Sequence, residues 1–386
     1  MIDKRSTPPN IKPQEKGHKK MASNMLDMVI NNAVAGATSN IWWANGKKGG
    51  VDGTSKIVAP TSIRGDESVD ELIQLLNLDW DPIAERLVNP STKQKSDAWE
   101  IYRPDNGDVL ATVISSKKVG IPPSPREILE FISSIREQVN AQWATGGLTT
   151  TARLWANIRL PQAMVDMGGG DVIHNTLMMM YDYKARKGRL KLCATNVVCD
   201  NTLQYALDEK SKVDVDWSDR DDIATGKLLK ALKLADDRFN SVINKFGVLQ
   251  SRHADLRNAP EIITYAHILD TPAVLARVLD AQQRDGGEAY DIVHDLLKSY
   301  SMQRATDLTS LGKTIITNMV AGVGQEMEAR KDNWYGALQG VTYAVDHAMG
   351  RDADSRIDSG YFGARSDLKS NALEVALIVS DVAKSI

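Results

Sequence analysis

The sequence predicts an α+β protein, an antiparallel sheet with a helix packed on one face and a mostly helical C-terminal half behind it. Three observations predict this. Between Ala98 and Cys199, apolar residues recur with a period of two in five stretches. One stretch among them, with Ile128, Leu129, Ile132, Ile135 and Val139, has helical spacing instead. After Asn201 the helical spacing takes over and persists to the end.

The elements follow in order. Ser68 or Asp66 caps a helix over Val69–Leu76, which leads into Leu78-Asp-Trp80. The alternating runs 99–103 and 108–114 flank Pro104-Asp-Asn-Gly107, whose Asn-Gly pair favours a hairpin. Pro122, Pro123 and Pro125 mark the boundary before the helix from Ile128 to Val139. Strands return at 149–160, 172–183 and 190–199, with Gly168-Gly-Gly170 and Lys187-Gly188 as turns. Beyond them, Ile223, Leu228, Leu229, Leu232, Phe239, Val242, Ile243, Phe246 and Leu249 form one amphipathic stripe. Shorter helices are expected at 259–269, 272–284, 287–300, 332–349 and 367–383. The resulting organisation is a basic arm (1–22), a helical or irregular segment (23–97), the α+β core (98–222) and a helical region (223–386).

Composition narrows the function. The chain has 386 residues, 42% hydrophobic and 25% charged, as in an ordinary soluble globular protein. A net charge of −3 excludes a uniformly basic nucleic-acid binder but leaves room for a local basic groove. The arm supplies six cations, Lys4, Arg5, Lys12, Lys16, Lys19 and Lys20, against Asp3 and Glu15. With three prolines and little apolar content it reads as a flexible tail or nucleic-acid tether. Cys193 and Cys199 share one apolar strand and cannot fold back on each other, so free buried thiols are expected. The absence of a long apolar run or signal-peptide core points to the cytoplasm.

Catalytic motifs are weak. Asp307-Leu-Thr-Ser-Leu-Gly-Lys-Thr314 approaches a phosphate-binding loop, but Asp307 replaces the first glycine and its charge would repel a phosphate. Gly322-Val-Gly324 lacks the third glycine of a dinucleotide fingerprint. His18, His174, His253, His267, His294 and His347 are scattered singly, so no metal site is expected. Asp214, Asp216, Asp219, Asp221 and Asp222 lack the central glycine of a calcium loop. No cofactor is indicated.

One surface has a pattern. Arg153, Trp155 and Arg159 alternate on one face of a strand, and Lys184, Arg186, Lys187, Arg189 and Lys191 crowd the following turn. Flat rings for stacking beside cations for phosphates suit single-stranded nucleic acid. Asn196, within a strand, can offer donor and acceptor to such a ligand. Asn201, with Gln204 three residues on, fits a helix cap near the same groove.

Several segments carry a resemblance. Leu78-Asp-Trp80, Arg103-Pro-Asp-Asn-Gly-Asp-Val-Leu110, Gly147-Leu-Thr-Thr-Thr-Ala-Arg-Leu-Trp-Ala156 and Val197-Val-Cys-Asp-Asn-Thr-Leu203 occur in order. Asn333-Trp334, Tyr343-Ala-Val-Asp-His347, Gly360-Tyr-Phe-Gly363 and Lys369 follow. In this order they resemble the phage- and plasmid-borne family catalogued as domain of unknown function 932, over roughly residues 60–380. That family opens with a Trp-His-Gly segment, where this chain has Ile41-Trp-Trp-Ala44. The resemblance implies a mobile-element setting and no particular reaction. The arrangement of elements is also similar to that of phage single-strand annealing proteins.

The expectation is therefore a non-enzymatic mobile-element protein that binds single-stranded DNA, promotes annealing or recombination, and assembles as a homo-oligomer. The alternative is a phage interaction or structural protein that uses its helical half against a protein partner. A dispersed enzyme site around Asp346, His347 and Arg356 is the third reading.

Overall fold

Two serines start the first two helices. The Ser68 hydroxyl accepts from the Glu71 amide, and the Glu71 carboxylate accepts from the Ser68 amide at 2.8 Å. This reciprocal box opens α1 (Val69–Leu76) at the predicted residue. Ser124 and Glu127 repeat the device at α2 (Pro125–Gln138), where Pro125 occupies the first turn and loses no hydrogen bond. The buried side of α2 carries Ile128, Leu129, Ile132 and Ile135, the stripe read from the sequence.

The computed structural model describes residues 40–43, 61–148, 152–196, 202–204, 213–215, 235–257, 259–299, 306–349 and 363–385. All of them lie in one compact unit, Asn40–Ile386. The basic arm (1–22) and much of the expected stripe after Ile223 lie outside the described residues.

The strands form two sheets. The smaller joins β3 (Ile83–Val88), β4 (Lys95–Tyr102) and β5 (Val109–Ile114), all antiparallel. Its β4–β5 turn is the predicted Asn-Gly hairpin, with Gly107 at φ +73°, a conformation that glycine adopts without a Cβ clash. The larger sheet contains β1 (Asn40–Trp43), β2 (Thr61–Ile63), β6 (Gln142–Leu148), β7 (Arg153–Asp166), β8 (Val172–Asp182), β9 (Lys187–Asn196), β10 (Thr202–Gln204) and β11 (Val213–Val215). Its order is β10-β9-β8-β7-β6-β1-β2, and β11 also pairs with β9. Every pairing is antiparallel except β1 with β6, which is parallel.

Alternation along the strands makes two faces. One carries Trp143, Leu154, Ile158, Leu177, Tyr181, Leu190 and Leu192, all buried. Here the Trp143 indole donates to the Glu67 carbonyl at 2.9 Å, and the Arg136 guanidinium of α2 lies 5.1 Å over its ring. Tyr183, just past β8, packs against Trp80, and the Arg103 guanidinium lies 4.7 Å over the Trp80 ring. The opposite face carries Arg153, Trp155, Asn157, Arg159, His174, Thr176, Met178, Met180 and Cys193.

The helical half contains α3 (Ala235–Gln250), α4 (Pro260–Asp270), α5 (Pro272–Arg284), α6 (Gly286–Lys298), α7 (Ser310–Ala321), α8 (Trp334–Tyr343) and α9 (Ala364–Ala383). A π-helical turn, Ala344–Ala348, extends α8. A Cβ on Gly340 of α8 would collide with the Met319 backbone of α7, so glycine permits their close approach. No single helix among the described residues is long and apolar enough to cross a membrane.

Two contacts lock the helices to the tip of the β7–β8 hairpin. Arg330 donates twice to the Asp171 carboxylate, at 2.8 and 2.6 Å, and both side chains are fully buried. The Gln250 side chain donates to the Met167 carbonyl at 2.7 Å.

One expectation is corrected. Thr202–Gln204 is a strand on the edge of β9 and not the first turn of a helix opened by Asn201. The unpaired backbone groups of β9 gain partners from the returning chain, and that tertiary gain outweighs the local capping pattern.

Candidate nucleic-acid interface

The β8–β9 hairpin is built around one aspartate. Asp182 accepts the amides of Lys184 and Ala185, both at 2.9 Å, through one oxygen. Its other oxygen accepts Arg153 Nε at 2.9 Å across the strand pair. The turn that follows requires a left-handed residue, and Arg186 takes it at φ +56°. Lys184, Arg186, Lys187 and Arg189 are all exposed. No acid occurs between Tyr183 and Lys191, and the nearest, Asp182, is already engaged by Arg153 and the turn amides.

The tip is not isolated. Arg186 donates to the Gly120 carbonyl at 3.1 Å, which brings the exposed Lys117 and Lys118 of the preceding loop into the same neighbourhood. Among the described residues, no ion pair engages Lys184, Arg186 or Lys187. In the strand register Asp182 of β8 stands opposite Lys187, and Asp214 of β11 opposite Arg189.

The remaining predicted residues are placed differently. Arg153 and Arg159 do share a face with Trp155, as alternation requires. The Trp155 indole, however, is only 2% exposed, so a base has no ring face to stack on. Arg153 is half-buried and spends its Nε on Asp182, and Arg159 is half-buried beside His174. Asn196 ends β9 opposite Ile173, and Asn201 lies outside the described residues. The sequence therefore located one exposed cluster, at the hairpin, and one covered row behind it.

That covered row is polar. The Thr176 and Thr195 hydroxyls are 2.9 Å apart, and Thr176 also donates to the Cys193 carbonyl. Burial, and secondarily the Arg159 charge, push the His174 pKa down to about 4. Burial pushes the Cys193 thiol up to about 12, so it is a protonated packing group and not a nucleophile. Asp346, singled out as a third possibility, forms a buried ion pair with Lys369 at 2.6 Å. Both of their charges reach Cys193. The His347 side chain and Arg356 lie outside the described residues, and no metal-binding group of three or more His, Cys, Asp or Glu occurs among those described.

The phosphate-loop near-match is settled by its neighbour. The Asp270 carboxylate accepts from the Thr309 amide at 2.7 Å, from the Thr309 hydroxyl and from the Gly312 amide at 3.0 Å. It therefore fills the start of α7, where a phosphate would have to bind.

A family model described as a domain of unknown function (DUF932) matches residues 122–372. The chain belongs to that family. The DUF932 span opens two residues before the Ser124 cap, includes the whole β6–β9 meander and ends inside α9. The small sheet precedes it, so the Leu78–Trp80 and Arg103–Leu110 segments of the resemblance lie outside the matched residues. No curated protein and no solved structure matches this chain.

Proposed function

We propose that this DUF932 protein binds single-stranded nucleic acid through the β8–β9 hairpin, in the cytoplasm of a cell carrying a mobile element. The observation that carries the reading is a turn with Lys184, Arg186 and Lys187 exposed and no described acid paired to them. Arg189 extends the row along β9. With Trp155 buried, phosphate neutralisation dominates and base stacking contributes little, so binding is insensitive to sequence. Bases left unstacked remain available to a complementary strand, and annealing is the activity proposed.

Fluorescence anisotropy with a labelled single-stranded oligonucleotide tests the reading. With three to four phosphates engaged, affinity falls about twenty- to fifty-fold from ~50 to ~200 mM salt. The combined Lys184→Ala, Arg186→Ala and Lys187→Ala variant loses most of the affinity and flattens the salt dependence. A folded wild-type protein that binds nothing at low salt, or a triple variant with unchanged affinity, rules the proposal out.

A further inference from the structure

The loop between β5 and α2 carries two cations that the hairpin alone leaves without a role. Lys117 and Lys118 are exposed, and among the described residues no ion pair engages either. The backbone that holds them is fixed at both ends. On one side the Ser115 amide donates to the Asp97 carbonyl at 2.6 Å, and the Trp99 indole donates to the Ser115 carbonyl at 3.0 Å. On the other, Val119 is buried in the core and the Gly120 carbonyl accepts from Arg186 at 3.1 Å. The Asp97 carboxylate, which could compete for these lysines, is paired with Arg86 at 2.7 Å.

Chain length bounds the separations. Lys118 is two residues and Lys117 three from Gly120, so their backbones lie at most about 7 and 11 Å from the Arg186 contact. Lys187 and Lys184 are one and two residues from Arg186 itself, within roughly 7 Å along the chain. At about 0.1 M salt, exposed charges act on one another over roughly 10 Å. The two sheets therefore share one electropositive patch, and the Arg186–Gly120 hydrogen bond is its seam. We infer that Lys117 and Lys118 are further phosphate-binding residues, and that one single strand crosses from the β8–β9 hairpin onto the small-sheet loop. This rests on the hairpin reading and widens it, from three or four engaged phosphates to about five or six. It also carries the interface beyond the residues matched by the DUF932 model, which begin at 122.

Two measurements on the full chain test the crossing. Each cation on a single strand adds about 0.7 to the slope of log affinity against log salt. Lys117→Ala with Lys118→Ala, both at exposed positions, therefore flattens the wild-type slope by about 1.4 while the circular dichroism spectrum holds. Wild-type affinity for an oligothymidylate then falls about 130- to 340-fold between ~50 and ~200 mM salt, and that of the double variant only about twenty- to fifty-fold. In lysine acetylation read by mass spectrometry, the bound oligothymidylate shields Lys117 and Lys118 together with Lys184 and Lys187, while the exposed Lys298 of α6 reacts as before. Binding that shields only the hairpin lysines, or a double variant with the wild-type slope, overturns the crossing and leaves the hairpin reading standing. A wild-type chain that binds no oligothymidylate at low salt removes both.

Discussion

His174 is the residue at which burial and charge are most open to measurement. It sits on β8 opposite Thr195, 5% exposed, and its pKa is down at about 4 from an ordinary 6.5. The unfolded chain takes up a proton between those values and the folded chain does not. Stability therefore falls as the pH drops from 6.5 to about 4 and levels off below that for this group. Urea midpoints at several pH values should show a steeper acid decline for wild type than for His174→Gln; equal slopes would remove the argument. The same covered row explains what was legible of the candidate site. Alternation placed Arg153, Trp155 and Arg159 on one face correctly, because the strand's geometry fixes that parity. Whether that face is open depends on residues remote in sequence, such as Asp346 and Lys369, whose charges reach Cys193. No local pattern encodes that. The neighbourhood of Arg186 and Lys118 was equally hidden, since 66 residues separate Arg186 from the Gly120 carbonyl it holds.

Among the elements, those with a local chemical signature were the readable ones. Ser68 and Ser124 each lie three residues before a glutamate, and both boxes form. Ser124→Ala should cost about 1 kcal/mol, read as a lowered urea midpoint with an unchanged slope, because the Glu127 amide loses its acceptor. Gly340→Ala is the contrasting case. A methyl there meets the Met319 backbone, so α7 and α8 must separate, and a loss of roughly 1–3 kcal/mol is expected. A melting temperature unchanged from wild type would refute it. The unread elements lacked such signatures. β6 is Gln-Trp-Ala-Thr-Gly-Gly-Leu, poor in β-branched residues, and is a strand because β7 and β1 pair with it on either side. β3 contains Glu85 and Arg86 and resembles a solvated segment until β4 pairs with it.

On the scale of the whole molecule, the Asp171–Arg330 pair joins the tip of a strand hairpin to the helical half across 159 residues of chain. Asp171→Asn leaves a guanidinium buried without its counter-charge and should cost about 3–5 kcal/mol. Replacing both partners with Leu and Met should recover much of that loss, and chemical denaturation of the three variants decides it. The C-terminal helix extends this interdependence. α9 touches α3, α4, α5, α6, α8 and β10, and Val375, Ala376, Val379 and Val382 are fully buried. During translation those six elements leave the ribosome well before their common neighbour does. Until residue 383 clears the exit tunnel, the flank it will cover remains wet, and a nascent chain stalled short of that point presents a sticky apolar surface to chaperones.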